Sequence, residues 1–149
     1  MKKIFLTLLL LFVFVISGCN NFVDPKFNKL QVKDKIINVE IVDTDKSRTQ
    51  GLSDRKDLCD DCGMLFIFEN KLVRSFWMNK MNFQLDMIWI DNGIIKNITE
   101  NAEMPTNGNI PTYNSEKKVD WVLEVNAGFC EKYGIKQGDK VELLTITKK

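Results

Sequence analysis

The chain has 149 residues, of which 44% are hydrophobic and 28% are charged, and this length suits one domain with its own core better than two. Its 21 basic and 20 acidic side chains nearly balance, which argues against nucleic acid as a partner. Histidine is absent, and this excludes the Ser-His-Asp triad, Cys-His nucleophile pairs and histidine-ligated zinc. The sequence predicts no cofactor.

The first 18 residues are typical of a lipoprotein signal peptide. Lys2 and Lys3 precede an apolar run over residues 4–16, which is shorter than the roughly 20 residues that cross a bilayer as a helix. The run ends in Ile16-Ser17-Gly18-Cys19, which resembles a bacterial lipobox and implies that Cys19 becomes the acylated first residue of the mature chain. The alternative is an ordinary signal peptide or anchor helix that ends in Gly-Cys. We therefore expect a palmitate-bearing protein, anchored in a membrane on the extracytoplasmic side of the bacterial cell envelope.

Residues 19–35 are predicted to be the lipidated cysteine and a tether, and residues 36–149 the folded domain. The tether is polar, contains Pro25 and shows no clean hydrophobic period. A first strand around Leu30–Val32 is left open. Without residues 1–18 the chain has 19 basic and 20 acidic side chains. We therefore expect the lipid, and not a charged surface, to attach the protein to the membrane.

The domain begins with a pattern typical of a strand followed by a short helix. Apolar and polar residues alternate over Ile37–Ile41, as in a half-buried strand. Asp43 and Thr44 then offer an N-cap to a short helix that Gly51 would end.

Three apolar stretches in the middle of the chain predict strands. Met64–Phe68 and Met87–Ile90 are apolar without alternation, so we expect both to be central and buried on two faces. Arg74–Met78 carries two aromatic residues, which favour a pleated surface. Asn92-Gly93 predicts a type I′ turn of a hairpin whose second strand is Ile94–Thr99, because both turn residues tolerate a positive φ.

The last third of the chain predicts two more strands and a second helix. Val119–Val125 alternates as a strand, and Val141–Thr147 is expected to close the chain as another. Asn126 is predicted to cap a short helix over residues 127–133, which Gly134 ends.

The segment 100–118 shows no hydrophobic period and is predicted to be a long loop. Six or seven short strands with two short helices then predict a mainly β (α+β) fold. The expected architecture is a small closed or nearly closed β-barrel with one or two short helices.

Six motifs follow one another along the domain: Gly51-Leu52, Gly63-Met64-Leu65-Phe66-Ile67-Phe68, Ser75-Phe76-Trp77-Met78, Leu85-Asp86-Met87-Ile88-Trp89-Ile90-Asp91, Leu123-Glu124-Val125-Asn126-Ala127-Gly128 and Gly134-Ile135-Lys136-Gln137-Gly138-Asp139-Lys140-Val141. In this order and spacing they resemble the domain-of-unknown-function 192 family of bacteria and archaea. The resemblance covers about residues 36–147, and Phe-Trp-Met followed by Leu-Asp is its most specific part.

The resemblance implies a small β-barrel-like fold, frequently exported or lipid-anchored, with no established activity and no settled catalytic residues. Two departures from the family pattern predict a changed edge: Asn79-Lys80-Met81 replaces the usual Lys-Asn-Thr, and Gln84 replaces a common proline.

Cys59 and Cys62 form a Cys-x-x-Cys motif in a polar loop. A four-cysteine zinc site is excluded, because Cys130 is the only other cysteine left once Cys19 is lipidated. Outside the cytoplasm the favoured interpretation is a local disulfide between Cys59 and Cys62. A redox-active pair and pairing of either cysteine with Cys130 are the alternatives, and Cys130 is otherwise expected to be a small buried side chain.

Methionines are dense in the middle of the chain. Thioethers suit Cu(I), so Met78 and Met81, beside Trp77, define a copper-handling alternative. Core packing is the favoured interpretation, because Met64 and Met87 lie in apolar runs. The sequence therefore predicts no metal site as its first interpretation.

The stretch 74–86 combines an apolar floor with few polar groups, as ligand pockets do. Asp86 and Asp91 end an apolar strand, where a turn cap or an ion pair with Arg74 or Arg55 is the commoner role. The candidate ligand-binding residues are Arg74, Ser75, Trp77, Met78, Asn79 and Asp86.

These observations favour a non-enzymatic, lipid-anchored envelope protein that binds an unknown small ligand or an envelope protein around residues 74–86 and 100–118. No catalytic constellation is evident. One alternative is a histidine-free enzyme that uses Asp86 or Glu124 with Arg74 on an envelope substrate. The second is a Cu(I)-handling protein.

Overall fold

The computed structural model describes residues 27–144, which form seven strands and two short helices. The elements are β1 (Asn28–Val32), β2 (Lys35–Val42), α1 (Asp45–Gln50), β3 (Cys62–Trp77), β4 (Leu85–Asp91), β5 (Ile94–Ala102), β6 (Thr112–Asn126), α2 (Phe129–Tyr133) and β7 (Val141–Leu144). All strands belong to one sheet in the order β5-β4-β6-β3-β2-β1-β7, and only β2 and β3 pair in parallel. Within this described range, no helix is long and apolar enough to span a membrane.

The sheet curls so strongly that its two edge strands meet at one end. Ile94 of β5 bridges to Lys140, and the Val141 N–H of β7 donates to the Gly93 carbonyl at 2.8 Å. The result is a half-barrel that nearly closes, with two short helices. The mainly β fold predicted from the sequence is confirmed.

Two apolar clusters lie on opposite faces of this sheet. Leu65 and Leu123 are opposite each other on β3 and β6 and belong to the first cluster, whereas their chain neighbours Phe66 and Val122 belong to the second. Successive side chains of a strand point to opposite faces, which separates the clusters. Helix α2 packs on the first cluster, and the segments after α1 and after β3 cover the second.

Two predicted strands, Met64–Phe68 and Arg74–Met78, are one long strand in the structure. The pairing of β3 with β6 shifts between Ile67 and Leu72, which marks a bulge. Three of the bulged residues, Glu69–Lys71, are polar and exposed, so the apolar pattern stops there although the strand continues. Met78 lies just beyond the end of β3.

The long loop predicted over residues 100–118 is wrong over most of its length. Strand β5 continues to Ala102 and β6 begins at Thr112, which leaves only residues 103–111 as the connection. The first half of β6 pairs only with the outer half of β3, as in the Tyr113–Phe76 pair. Its residues are polar and mostly exposed, so they show no apolar period.

The first helix and the hairpin turn agree with their predictions. Thr44 is the N-cap of α1 and Gly51 its C-cap. Asn92 and Gly93 both have positive φ, 50° and 68°, as the type I′ turn requires.

The predicted cap of the second helix is wrong. Helix α2 begins at Phe129 with Gly128 as its N-cap, and no side chain of the N-cap residue bonds to the helix. The Asn126 amide instead donates to the Leu58 carbonyl at 2.9 Å. Gly134 ends the helix as predicted, with φ of 60°.

The sheet starts inside the segment assigned to the tether. β1 includes Leu30–Val32, the stretch left open as a first strand, and both Leu30 and Val32 are fully buried. The predicted signal peptide, the predicted lipobox and Cys19 lie outside the described residues. So do residues 145–147 of the predicted last strand.

Candidate binding groove beside helix α1

An open groove, here named the α1 groove, runs between α1 and the outer end of β3. It consists of three adjoining depressions of about 600, 770 and 490 Å³. Asp45 lines all three, Arg48 lines the first and third, and Trp77 lines the first and second, so the depressions are continuous. Their size is that of typical ligand sites.

Helix α1 is held in place by its own sequence. The Thr44 hydroxyl accepts from the Ser47 N–H at 3.2 Å, and the Ser47 hydroxyl pairs back to the Thr44 N–H at 3.1 Å, a reciprocal capping box. Arg48 then ties the helix to β3, because its guanidinium donates to the Ile67 carbonyl at 2.9 Å. The helix wall of the groove is therefore fixed against the bulge.

Two arginines stack on one aromatic ring in the groove. The guanidinium carbons of Arg74 and Arg48 lie 3.8 and 5.0 Å from the centre of the Phe68 ring. Arg48 also pairs with Asp45 at 2.6 Å. Arg74 has no carboxylate within ion-pairing distance among residues 27–144, and its buried Nε has no hydrogen-bond partner there. Burial, and then the neighbouring Arg48, lower the pKa of the Arg74 guanidinium.

The other end of the groove is apolar and exposed. Trp77 is 53% exposed, a large fraction for a tryptophan next to a groove. The segment after it is attached to the end of α1, since the Ser53 hydroxyl donates to the Asn79 carbonyl at 2.9 Å and Lys80 pairs with Asp54 at 3.6 Å. The chain next to Trp77 is therefore held in place by contacts with the segment that follows α1.

The structure brings four of the six predicted ligand-binding residues together in this groove. Arg74, Ser75, Trp77 and Asn79 all line it. Met78 is fully buried in the second cluster and does not line it.

Asp86 is also absent from the groove, because it caps α2. Its carboxylate is fully buried and accepts three backbone N–H bonds, from Asn101 at 2.9 Å, Gly128 at 3.2 Å and Cys130 at 2.9 Å. It therefore supplies the cap that the residues before α2 do not provide. The predicted pairing of Asp86 with an arginine is wrong, whereas its predicted role as a cap is close to the observed one.

Asp91 and Arg55 pair with other residues than predicted. Asp91 contacts Lys71 and lies 3.6 Å from Lys96. The hydrogen bond from Lys71 is the main reason that the pKa of Asp91 is lowered. Arg55 pairs with Glu40 at 2.9 Å.

Glu124 is a buried carboxyl group in the middle of the sheet. It is 5% exposed and lies opposite Met64 on one side and Met87 on the other. Desolvation raises its pKa to about 8. Arg74 is at the outer end of β3 beyond the bulge, so the geometry does not combine it with Glu124 in one site.

The cysteines follow the favoured interpretation. Cys59 and Cys62 are joined in a disulfide with their Cα atoms 5.1 Å apart. Cys130 is free and buried, and burial followed by the charge of Asp86 raises the pKa of its thiol. This thiol is unsuited to nucleophilic chemistry.

The methionines of the copper alternative are core residues. Met78 and Met81 are 0% and 8% exposed and belong to the second cluster together with Met64 and Met87. Within residues 27–144, no group of three or more His, Cys, Asp or Glu side chains is placed to hold a metal ion.

Family membership follows from the match of nearly the whole described sheet. The family model DUF192, described as "Uncharacterized ACR", matches residues 28–143. The chain belongs to the DUF192 family. The match begins with the first residue of β1 and ends within β7, so the complete curled sheet is the family domain.

Two solved structures resemble this DUF192 protein. A protein of Sinorhizobium meliloti 1021, provisionally described as a transcription regulator, has 30% sequence identity and a TM-score of 0.73, over 78% of this chain and 93% of that one. A protein of unknown function from Novosphingobium aromaticivorans DSM 12444 has 28% identity and a TM-score of 0.72, over 78% of this chain and 84% of that one. Among curated proteins, none has significant sequence similarity to this chain.

The Phe-Trp-Met motif of this DUF192 protein has three different environments. Phe76 packs edge-on against Phe66 at 4.8 Å and Trp89 at 5.5 Å between ring centres. Trp77 faces the groove and Met78 enters the core. The motif thus joins the core to an exposed surface.

The helix side of the groove was not found among the sequence candidates. Arg48 and Phe68 lie in elements that were predicted, yet neither residue was a candidate. Their local patterns carry no signal, because their contact depends on which strand α1 packs against. The contact between Arg48 and Phe68 becomes visible only when α1 is placed beside the bulge of β3.

Proposed function

We propose that this DUF192 protein is a lipid-anchored envelope protein that binds a partner protein through the α1 groove. One observation carries the proposal: an exposed tryptophan and an arginine without a carboxylate partner line the same continuous groove. Tryptophan and arginine are the residues most enriched where binding energy concentrates.

The groove is open along its length, which favours a macromolecular partner over an enclosed small ligand. Its apolar end at Trp77 offers area for burial, and its polar end at Arg74 offers a charge that no described carboxylate neutralises. A partner that covers both ends would remove apolar surface from water and pair a half-buried cation.

The two alternatives have weaker support. The enzyme hypothesis depended on Asp86 or Glu124 with Arg74, and the three residues lie at separate places in the fold, with Asp86 occupied by three N–H donors. The Cu(I) hypothesis depended on Met78 and Met81, whose side chains fill the core.

The test is site-specific photo-cross-linking in the bacterium that makes the protein. A photoreactive aromatic amino acid, which keeps an aromatic side chain at this position, replaces Trp77 or, as a matched control, Ile36. Ile36 is 49% exposed, similar to Trp77, but lies at the start of β2 away from the groove. We expect a defined cross-linked protein from position 77 and none from position 36. Equal products from both positions, or none from position 77 in a folded chain, would contradict the proposal.

The lipid anchor is tested separately. We expect radiolabelled palmitate to be incorporated into the wild-type chain and not into the Cys19→Ser variant. Incorporation into both chains, or into neither, would contradict the anchor.

A further inference from the structure

One edge of β3 is unpaired beside the α1 groove. β2 pairs with β3 only from Asn38–Cys62 to Val42–Phe66, and the chain then leaves the sheet to form α1. β3 continues to Trp77 with β6 on its other side. From Ile67 onwards, no other strand of the described chain pairs with this edge.

The backbone groups of two groove residues point toward that free edge. The Arg74 N–H donates to the Ser115 hydroxyl at 2.9 Å, and the Met78 N–H donates to the Pro111 carbonyl at 3.0 Å, so both point toward β6. Because backbone N–H and C=O groups alternate in direction along a strand, those of Ser75 and Trp77 point the opposite way. Both residues line the groove.

The groove also offers a charge for the occupant of this edge. The guanidinium groups of Arg74 and Arg48 both lie near the Phe68 ring, and the Arg48 group is already paired with Asp45. The Arg74 group donates to the Asn70 carbonyl. Arg74 keeps a buried Nε that has no acceptor among the described residues. A carboxylate is the group that best satisfies a guanidinium of this kind.

We propose that the α1 groove binds an extended segment of another protein by strand addition to β3, with an acidic residue of that segment paired to Arg74. The segment would exchange backbone hydrogen bonds with Ser75 and Trp77 and lie between β3 and α1, the mode in which exposed sheet edges bind peptides. This inference rests on the proposed function and adds to it the conformation and the charge of the partner.

The experiment uses random heptapeptides displayed on phage and selected against the full chain in detergent micelles. We expect selected peptides to carry Asp or Glu, and we then follow hydrogen exchange of single amides with and without one synthetic peptide. Before addition, the amides of Ser75 and Trp77 should exchange faster than that of Phe76, which faces β6. The bound peptide should slow exchange at Ser75 and Trp77 at least about tenfold, as new backbone hydrogen bonds do.

Matched variants separate the backbone contact from the charge. Ser75→Pro removes an N–H that points away from β6, so we expect peptide affinity to fall about tenfold, whereas Ser75→Ala keeps this N–H and should bind more tightly than Ser75→Pro. Arg74→Gln should weaken an acidic peptide about tenfold or more and leave its Asp→Asn version unchanged. If Ser75→Pro does not fold, N-methylation of alternate peptide amides tests the same hydrogen bonds on the wild-type chain.

Each other outcome contradicts the inference in a recognisable way. A peptide that binds and cross-links to Trp77 while Ser75 and Trp77 stay unprotected would preserve the binding groove and overturn strand addition. Failure to enrich acidic peptides overturns the charge pairing. Protection of both amides that rises with protein concentration in the absence of peptide would show that a second copy of this chain occupies the edge. The proposal that a different protein binds there would then be wrong.

Discussion

The two short helices of this protein are stabilised at their N-termini in different ways. The difference distinguishes a charged residue that stabilises the fold from one that is available for binding. Helix α1 is capped by Thr44 and Ser47 from its own sequence, so its surroundings remain available. Helix α2 has no side-chain cap of its own and takes the carboxylate of Asp86 from β4. At the α1 end, the Arg74 guanidinium donates to the Asn70 carbonyl but its buried Nε has no acceptor among the described residues, whereas the Asp86 carboxylate accepts three backbone N–H bonds.

Both charged residues come from one motif-rich stretch of sequence, so residue type alone did not distinguish them. Complete burial with three hydrogen-bond donors identifies Asp86 as structural. Partial burial with a missing acceptor identifies Arg74 as the binding candidate.

The largest effect is expected for Asp86→Ala. Three buried N–H groups would lose their acceptor, so the free energy of unfolding should fall by roughly 3 kcal/mol or more. Urea unfolding followed by circular dichroism measures this change. The control is Asp57→Ala, an exposed carboxylate, which should change it by less than about 0.5 kcal/mol. Similar losses of unfolding free energy in the two variants would contradict the structural role of Asp86.

The second effect is a pH dependence from Glu124. Its pKa is raised in the folded state from 4.5 to about 8, so the native state keeps a proton that the unfolded state releases. Its stabilising contribution is complete below about pH 4.5 and decreases, by at most about 1.4 kcal/mol per pH unit, as the pH rises to about 8.

Urea midpoints from pH 5 to 9 measure the Glu124 effect. Glu124→Gln should flatten the profile, while the exposed Glu142→Gln should leave it unchanged. A wild-type profile that is equally flat would show that this carboxyl group does not titrate in the expected range.

The third effect concerns the disulfide near α2. Replacing Cys59 and Cys62 by serine opens a short loop, which should lower the free energy of unfolding by about 2 kcal/mol or less. Thermal unfolding with and without a reducing agent checks this. The wild type and Cys130→Ala should both respond to reduction, and the double serine variant should not. A wild type that does not respond, or a Cys130→Ala variant that has lost the response, would contradict a disulfide between Cys59 and Cys62.

The smallest effect on stability and the largest on binding are expected at Trp77. Trp77→Ser should change the free energy of unfolding by less than about 0.5 kcal/mol, because the side chain is exposed. It should nevertheless abolish partner cross-linking from a photoreactive residue at Thr49 on the opposite wall of the groove. Leu72→Ser, at an exposed position of β3 outside the groove, is the control and should keep the cross-link. If Trp77→Ser lost stability but kept the cross-link, Trp77 would be a structural residue and not a binding residue.

Much of the fold could be predicted because it depends on local patterns. The strand over Ile37–Ile41, the cap and end of α1 and the Asn92-Gly93 turn each follow from a few neighbouring residues. The errors occurred where pairing over long distances decides. The polar first half of β6 is a strand because it pairs with the outer part of β3 beyond the bulge, which alternation cannot show.

The candidate site divides in the same way. The sequence alone determined that Arg74, Ser75, Trp77 and Asn79 lie close together, since they are near neighbours along the chain. It could not determine that the Asp86 carboxylate accepts from the backbone of α2 or that Arg48 packs on Phe68 in the groove, because both contacts connect segments far apart in the sequence.

What the sequence by itself determined about this protein is therefore its mainly β class, its short helices and the chain region that carries the groove residues. Only the tertiary structure decided which side chains of that region remain available. The physical reason is that burial and hydrogen bonding are shared among segments far apart in sequence. Helix α2 uses the carboxylate of Asp86, while the outer edge of β3 has no partner strand and the Nε of Arg74 has no hydrogen-bond partner in the described chain.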